Sequence, residues 1–160
     1  GCGMKCLSIR QPWATLIAIG AKKFETRSWA TNYRGPLAIH AGLRWTREQA
    51  EMCEAEPFRT ALRAAGIEVE AGFPVYANTH PVPKGTLPLG CVVAIGSVDA
   101  CRDVGHLNPG EQERAFGDFR PGRYGWELSS VRRLALLIPY TGRQGLFSVP
   151  DDLIEQAVRP

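Results

Sequence analysis

Gly20-Ala21-Lys22-Lys23-Phe24-Glu25-Thr26-Arg27 is the stretch at which the chain changes its period. Before it, Trp13, Leu16 and Ile17 recur at helical spacing behind Pro12, which suits a helix start because no amide proton is needed there. Gly20 is positioned to end that helix as a left-handed cap. From Lys22 to Trp29 the pattern becomes two-fold. Lys22, Phe24, Thr26 and Ser28 fall on one strand face, and Lys23, Glu25, Arg27 and Trp29 on the other. Glu25 is thus expected beside Arg27, with Lys22 at the turn that opens the strand.

Working outward, Met4 to Ile9 alternates as a first strand, and Asn32 to Pro36 reads as a turn. Pro36 to Ala41 is a strand carrying His40 among apolar neighbours, where a histidine is more often hydrogen-bonded than catalytic. Thr46-Arg47-Glu48-Gln49 is a capping-box pattern, with Gln49 expected to reach back to Thr46. A helix follows to about Glu56, broken by Pro57, and a second runs from Phe58 to Ala65 before Gly66. Residues 68–87 read as a long surface loop. Leu89 to Val98 is apolar throughout and reads as a central strand, and Asp99 to Asp103 either continues it or turns away. A short helix is expected over Pro109 to Phe116, with a loop to Gly122. Arg123 to Leu128 and Val131 to Pro139 read as two strands. A turn at Thr141 to Gly145 then lets Leu146 to Val149 pair back, and Pro150 opens a helix to Val158. Short strands with scattered short helices argue for an α+β fold, with five or six strands curled into a small barrel and the helices outside it.

A chain of 160 residues suits one domain with its own core. Gly1-Cys2-Gly3 precede Met4 and read as a remnant ahead of the native start, leaving 4–160 as the domain. No apolar run approaches the ~18 residues of a membrane span, so a cytoplasmic protein without membrane contact is expected. Cys2, Cys6, Cys53, Cys91 and Cys101 form no Cys-x-x-Cys pair, and His40, His80 and His106 are far apart in sequence, so no metal or other cofactor is expected. Cys91, inside an apolar strand, reads as a small buried hydrophobe.

Charge is unevenly placed. Residues 1–48 hold eight Lys or Arg against Glu25 and Glu48, whereas the remaining residues hold eleven against fourteen acids. A basic region on a nearly neutral chain points to an anionic partner held at one place.

Gly20-x-Lys22-x-x-Glu25-x-Arg27 resembles the Gly-x-Lys-x-x-Glu-x-Arg signature of the ASCH domain, within the PUA-like superfold. Leu7-Ser8-Ile9-Arg10-Gln11-Pro12-Trp13-Ala14 looks like the start of its bacterial and phage members, as do Arg123-Tyr124-Gly125-Trp126 and Gly142-Arg143-Gln144-Gly145-Leu146-Phe147. The resemblance implies a five- or six-stranded barrel and a cleft beside the first helix that contains the motif's charges. The superfold includes RNA-binding modules and readers of modified bases, and some small ASCH-type proteins are acylcytidine amidohydrolases or have been associated with ribonuclease activity.

Two functional readings follow. In the first, the chain binds single-stranded RNA, a nucleotide or a modified nucleoside. Arg10, Lys22, Lys23, Arg27 and Arg34 would contact phosphate, while Trp13, Tyr124 and Trp126, with Trp29 and Tyr33, would offer rings for an unstacked base. In the second, the chain is a metal-independent hydrolase of RNA or N-acylated cytidine with Lys22 and Glu25 catalytic. Glu25 or His40 would act as base, and Lys22 or Arg27 would hold the developing charge. The amidohydrolase pattern implied by the resemblance matches at Lys22. Its threonine nucleophile falls on Glu25, which cannot form the same ester, and Thr26 lies one residue on, across the strand. A carboxylate among so many bases is expected to keep its charge, as is one that only pairs with Arg27 or Arg10 to fix the fold. That favours binding over base catalysis.

Overall fold

The computed structural model describes residues 3–70, 75–76 and 82–158. Six strands form one curled sheet: β1 (Gly3–Ile9), β2 (Phe24–Arg27), β3 (Gly35–Ala41), β6 (Cys91–Asp103), β7 (Tyr124–Pro139) and β8 (Leu146–Pro150). Their order is β2-β7-β6-β3-β1-β8, with only β1 and β3 parallel. Among the described residues five short α-helices accompany them: α1 (Trp13–Ala18), α2 (Arg47–Glu54), α3 (Phe58–Ala64), α4 (Glu111–Phe116) and α5 (Asp151–Val158). Two residues of β4 (Val75–Tyr76) pair with β5 (Pro88–Leu89) apart from the main sheet. This is the α+β curled sheet with flanking helices that the short, mixed periods predict.

The apolar runs of β3 and β6 follow from burial on both faces. Leu37 and Ile39 lie in a core with Leu7, Ile9, Val93 and the α1 residues Ala14 and Ile17. Their pleat neighbours Cys6, Ala38 and Val92 pack on the other side against Phe147, Val149 and the α5 residues Ile154 and Ala157. A third cluster ties α1 to α2 and α3 through Leu16, Cys53, Phe58 and Leu62, with Phe116 from α4. Burial pushes the Cys6, Cys53 and Cys91 thiols up to about 12, so these cysteines act as small apolar side chains.

Several local expectations hold and others are corrected. Gly20 takes φ +82°, and the amides of Ala21 and Lys22 both close on the Leu16 carbonyl. Pro12 caps α1 rather than opening it. Asp99 to Asp103 continues β6. The two strands expected over 123–139 are one strand, β7, which bends at Ser130 (φ 52°) while its register against β6 slips. The bulges interrupt the alternation but not the ladder, so a period count divides what the backbone joins. β8 does not pair back onto β7, which already has β2 and β6 as neighbours, but completes the open edge of β1. β1 begins at Gly3, which sits opposite Pro150. Of the expected 68–87 loop, 71–74 and 77–81 lie outside the described residues. Its two flanks meet where Val69 bridges Gly85.

The β6–β7 crossing depends on one close approach. A Cβ at Gly96 would lie 2.8 Å from Val131 Cγ2 and 3.1 Å from the Ser129 carbonyl oxygen. Gly96→Ala is therefore expected to destabilise the chain by about 1–3 kcal/mol through overpacking. Gly42→Ala, where a Cβ would meet Ser8 Oγ at an ordinary 3.5 Å, should stay within about 0.5 kcal/mol of the parent. Urea denaturation of both variants checks this, and equal midpoints would show that Val131 yields freely.

Candidate functional site

The motif residues sit at the end of the sheet where β2 is the edge strand. Just before α1, the chain is fixed by Gln11, whose side chain is fully buried. Its Oε1 accepts from the Thr15 amide at 3.0 Å, its Nε2 donates to the Pro88 carbonyl at 2.9 Å, and its own carbonyl accepts from Gln49 Nε2 at 2.6 Å. Thr46 does cap α2 through the Gln49 amide, but the Gln49 side chain donates to Gln11 and Arg44 instead of returning to Thr46. The capping-box pattern thus conceals a tertiary clamp, and the clamp holds Arg10 and Trp13 on either side of Gln11 in place.

Lys22 follows the turn at Gly20 and is 2% exposed. Its Nζ donates to the Phe116 carbonyl at 3.3 Å. Burial lowers its pKa from the usual lysine value, against the opposing pull of Glu25 and Glu113. Glu25 and Thr26 are also buried. Arg27 Nε donates to Glu25 Oε2 at 3.1 Å, as their shared face predicts, and Arg27 Nη2 donates to the Ser8 carbonyl at 2.7 Å. Ser8 lies past the β1 residues that β8 covers, which run from Gly3 to Leu7. Arg27 therefore crosses from the β2 edge of the sheet to the uncovered end of β1.

Around these groups is a cleft of about 540 Å³. Its apolar wall contains Trp13, Met52, Phe58 and Phe116. Phe58 meets Trp13 edge-on with centroids 6.5 Å apart and Phe116 at 5.0 Å. The polar wall contains Lys22, Glu25, Thr26 and Arg27, with Arg10 on the rim. Thr26 lines it despite its opposite pleat because the cleft runs along the edge of β2, where consecutive residues are met. Its hydroxyl oxygen accepts from the Asp118 amide at 3.1 Å. Asp118 and Arg123 close the far lip. Arg123 Nε lies 3.3 Å from Asp118 Oδ2, and its Nη2 donates to the Thr26 carbonyl at 3.1 Å. A side-chain hydrogen bond from Arg120 holds the Asp118 carboxyl down at about 2, helped by the nearby Arg123 charge.

Of the residues singled out in the sequence, Arg10, Trp13, Lys22, Glu25 and Arg27 come together here. Others do not. Lys23 is exposed and its Nζ donates to the Gly20 carbonyl, while Glu113 receives its amide. Arg34 folds onto its own turn, donating to the Thr31 and Tyr33 carbonyls. Tyr124 is half-buried opposite Arg27 and does not line the cleft. Trp126 is fully buried, with Trp29 edge-on at 4.9 Å, and has no face free for a base. An aromatic residue in an alternating strand gives the same pattern on either face, so only the fold could place it inside.

His40 is buried away from the cleft. Its Nε2 lies 2.7 Å from the Tyr140 carbonyl, which can only accept, so that nitrogen carries the proton. Burial lowers the His40 pKa, and the neutral ring's Nδ1 accepts from the Ser8 hydroxyl at 2.9 Å. This is a structural histidine rather than the base of the hydrolase reading. Sequence reasoning assigns no site role to Gln11, Gln49, Asp118 or Arg123, although Gln49 stands in the capping-box pattern and Gln11 and Arg123 stand in the stretches that carry the family resemblance. Among the described residues, no three His, Cys, Asp or Glu side chains gather as a metal site, and no helix is long and apolar enough to cross a membrane.

A family model of the ASCH domain matches residues 7–116, from β1 to the end of α4. The chain belongs to the ASCH domain family. Over 87 residues this ASCH chain is 40% identical to Activating signal cointegrator 1 of Homo sapiens, and equally to that of Mus musculus. The matched stretch is 54% of this chain and 13% of the length of each relative. The curled six-stranded sheet is the PUA-like architecture that the ASCH signature implies. The family match includes every cleft residue up to Phe116, while Asp118 and Arg123 lie beyond it.

A buried ammonium with one long hydrogen bond costs stability unless a ligand uses it. Lys22→Met is expected to be neutral or stabilising by about 1 kcal/mol in urea denaturation without ligand. A loss of more than about 1 kcal/mol would show instead that the Lys22–Phe116 contact fastens α4 to the sheet.

Proposed function

We propose that this ASCH domain binds single-stranded RNA, or a nucleotide, by taking one unstacked base into the cleft between α1 and the edge of β2. The observation that carries this reading is the pairing of an aromatic wall, Trp13 and Phe58, with the charged wall of Lys22, Glu25 and Arg27 across one 540 Å³ space. That volume lies within the range of small-ligand sites. Trp13 supplies a face for stacking, worth about 1–3 kcal/mol per base. Glu25 gives one oxygen to Arg27 and retains acceptor capacity for an amino or imino N–H of the base. Lys22 and Arg10 contribute positive charge toward phosphate or a base carbonyl. An A-form duplex hides its base edges, so a single strand or a free nucleotide is the fitting ligand.

The hydrolase reading draws on one observation, the buried Lys22 with its depressed pKa beside a carboxylate. The Arg27–Glu25 bond weighs against it, because Glu25 Oε2 already accepts the Arg27 Nε hydrogen and is occupied in holding the sheet edge. Membership of the family supports nucleic-acid binding at the coarser level, and the choice of base is left to the cleft's own donors and acceptors.

Trp13→Ala is expected to weaken binding of a short single-stranded RNA by about 5- to 150-fold, the equivalent of the loss of one stacked base. Fluorescence anisotropy would measure this, and unchanged affinity in a folded variant would remove the base from the cleft. Incubation with RNA and with N-acylated cytidine, products resolved by mass, should return the ligands intact. Turnover by the parent that disappears in Glu25→Gln would establish the hydrolase reading instead.

A further inference from the structure

A second groove lies on the other side of Arg27. It measures about 560 Å³ and shares Ser8, Arg10 and Arg27 with the cleft. Its remaining wall includes Trp29, Arg44, Arg143 and Gln144. Four guanidinium-bearing residues therefore meet one groove, and no carboxylate side chain lines it. Among the described residues, Arg10, Arg44 and Arg143 form no ion pair with an acidic side chain. Elsewhere Arg47, Arg63, Arg102, Arg120 and Arg123 each have a carboxylate within 4 Å, while among the described residues Arg34, Arg59, Arg114, Arg132 and Arg133 form no such pair either but do not line this groove. Like charges brought to one concave surface repel, and an anion in the groove relieves that repulsion.

The segments carrying these arginines are anchored. Gln49 holds the Arg44 carbonyl at 3.0 Å, and the Gly42 amide donates to the Ile9 carbonyl at 2.9 Å. Opposite, Gly142 is seated on the Ser8–His40 pair so closely that a Cβ there would lie 2.7 Å from His40 Cε1 and 3.0 Å from Ser8 Oγ. Arg44 and Arg143 thus project from backbone that is tied to buried hydrogen-bonded groups on both sides of Ser8. The Arg44 and Arg143 side chains themselves are exposed, and guanidinium forks carried on such backbone match phosphate oxygens.

We infer that this groove is a phosphate subsite, which takes the phosphate attached to the nucleoside whose base occupies the neighbouring cleft, with Arg10 and Arg27 between the two. The inference rests on the base-binding reading of the cleft. It identifies the preferred ligand as a phosphorylated nucleoside or an oligonucleotide rather than a free nucleoside. The phosphate is either a terminal monoester or an internal diester.

The experiment compares a nucleoside, its 5′- and 3′-monophosphates and a short single-stranded oligonucleotide by calorimetry. The proteins are the parent, the double variant Arg44→Gln/Arg143→Gln, and a control, Arg132→Gln/Arg133→Gln, which removes equal charge from exposed positions on β7. Phosphate is expected to tighten binding to the parent and the control by tenfold or more. In the groove variant the gain should fall below about threefold, with nucleoside affinity unchanged. The salt dependence of oligonucleotide binding should flatten by about 1.4 in log–log slope for two lost contacts. A preference for one monophosphate assigns a terminal group, and equal monophosphates below the oligonucleotide assign the internal diester. A phosphate gain that survives in the groove variant would overturn the subsite, as would no gain in the parent or equal competition by a poly-glutamate peptide. Nucleotide binding that depends on Arg44 and Arg143 while the nucleoside shows none would overturn the base cleft and leave the phosphate groove standing.

Discussion

Arg27 holds together two parts of a sheet that hydrogen bonds between strands leave apart. β2 and β8 are the outer strands, and nothing in the backbone ladder joins β2 to β1. The Arg27 guanidinium spans that opening, donating to Ser8 on one side and to Glu25 on its own strand. Hydrogen bonds that involve a charged group contribute about 1.5–3 kcal/mol each, more than a surface ion pair. The pair is only partly exposed, with side-chain accessibilities of 25% and 11%, so solvent screens it less than a fully exposed one. The cleft and the arginine groove are the two sides of this crossing. Their shared lining by Ser8, Arg10 and Arg27 is a consequence of it.

The same economy of polar contacts extends inward. Gln11, Gln49 and His40 are almost fully buried, and each satisfies its side chain against backbone or a neighbour that fixes a loop. Among the described residues, no buried side-chain nitrogen or oxygen lacks a partner. Lys22 differs in kind. Its single 3.3 Å bond satisfies one of three donors, which is a weak return for burying an ammonium. A fold tends to keep such a charge where function needs it, and Lys22 borders the cleft.

Much of this arrangement was legible in the sequence because it is local. The cap at Gly20, the shared face of Glu25 and Arg27 and the central run of β6 all follow from spacing within a few residues. The gathering of Arg10, Trp13, Lys22 and Arg27 follows from their nearness along the chain. What escaped was set by distant pairing or by a defect in the period. The alternation divides β7 because Ser130 shifts it, and it turns β8 back on the preceding strand because the true partner of β8 is at the other end of the chain. Lys23 and Arg34 carry the expected charge, but each satisfies nearby carbonyls instead of facing the cleft. Charge can be counted in a sequence, whereas its direction depends on which carbonyl lies within reach.

The motif strand has a dependence that the extent of the family match conceals. β2 has a single hydrogen-bonded neighbour, the segment from Tyr124 to Glu127 of β7, which lies wholly beyond Phe116. β6 likewise has β3 on one side and β7 on the other. A fragment cut at the boundary of the matched residues would keep every letter of the signature while leaving its strand without a ladder. It would also lose Trp126 from beneath Trp29 and β8 from the edge of β1. The recognisable segment and the unit able to fold are therefore different lengths of chain, and the signature takes its geometry from residues that do not belong to it.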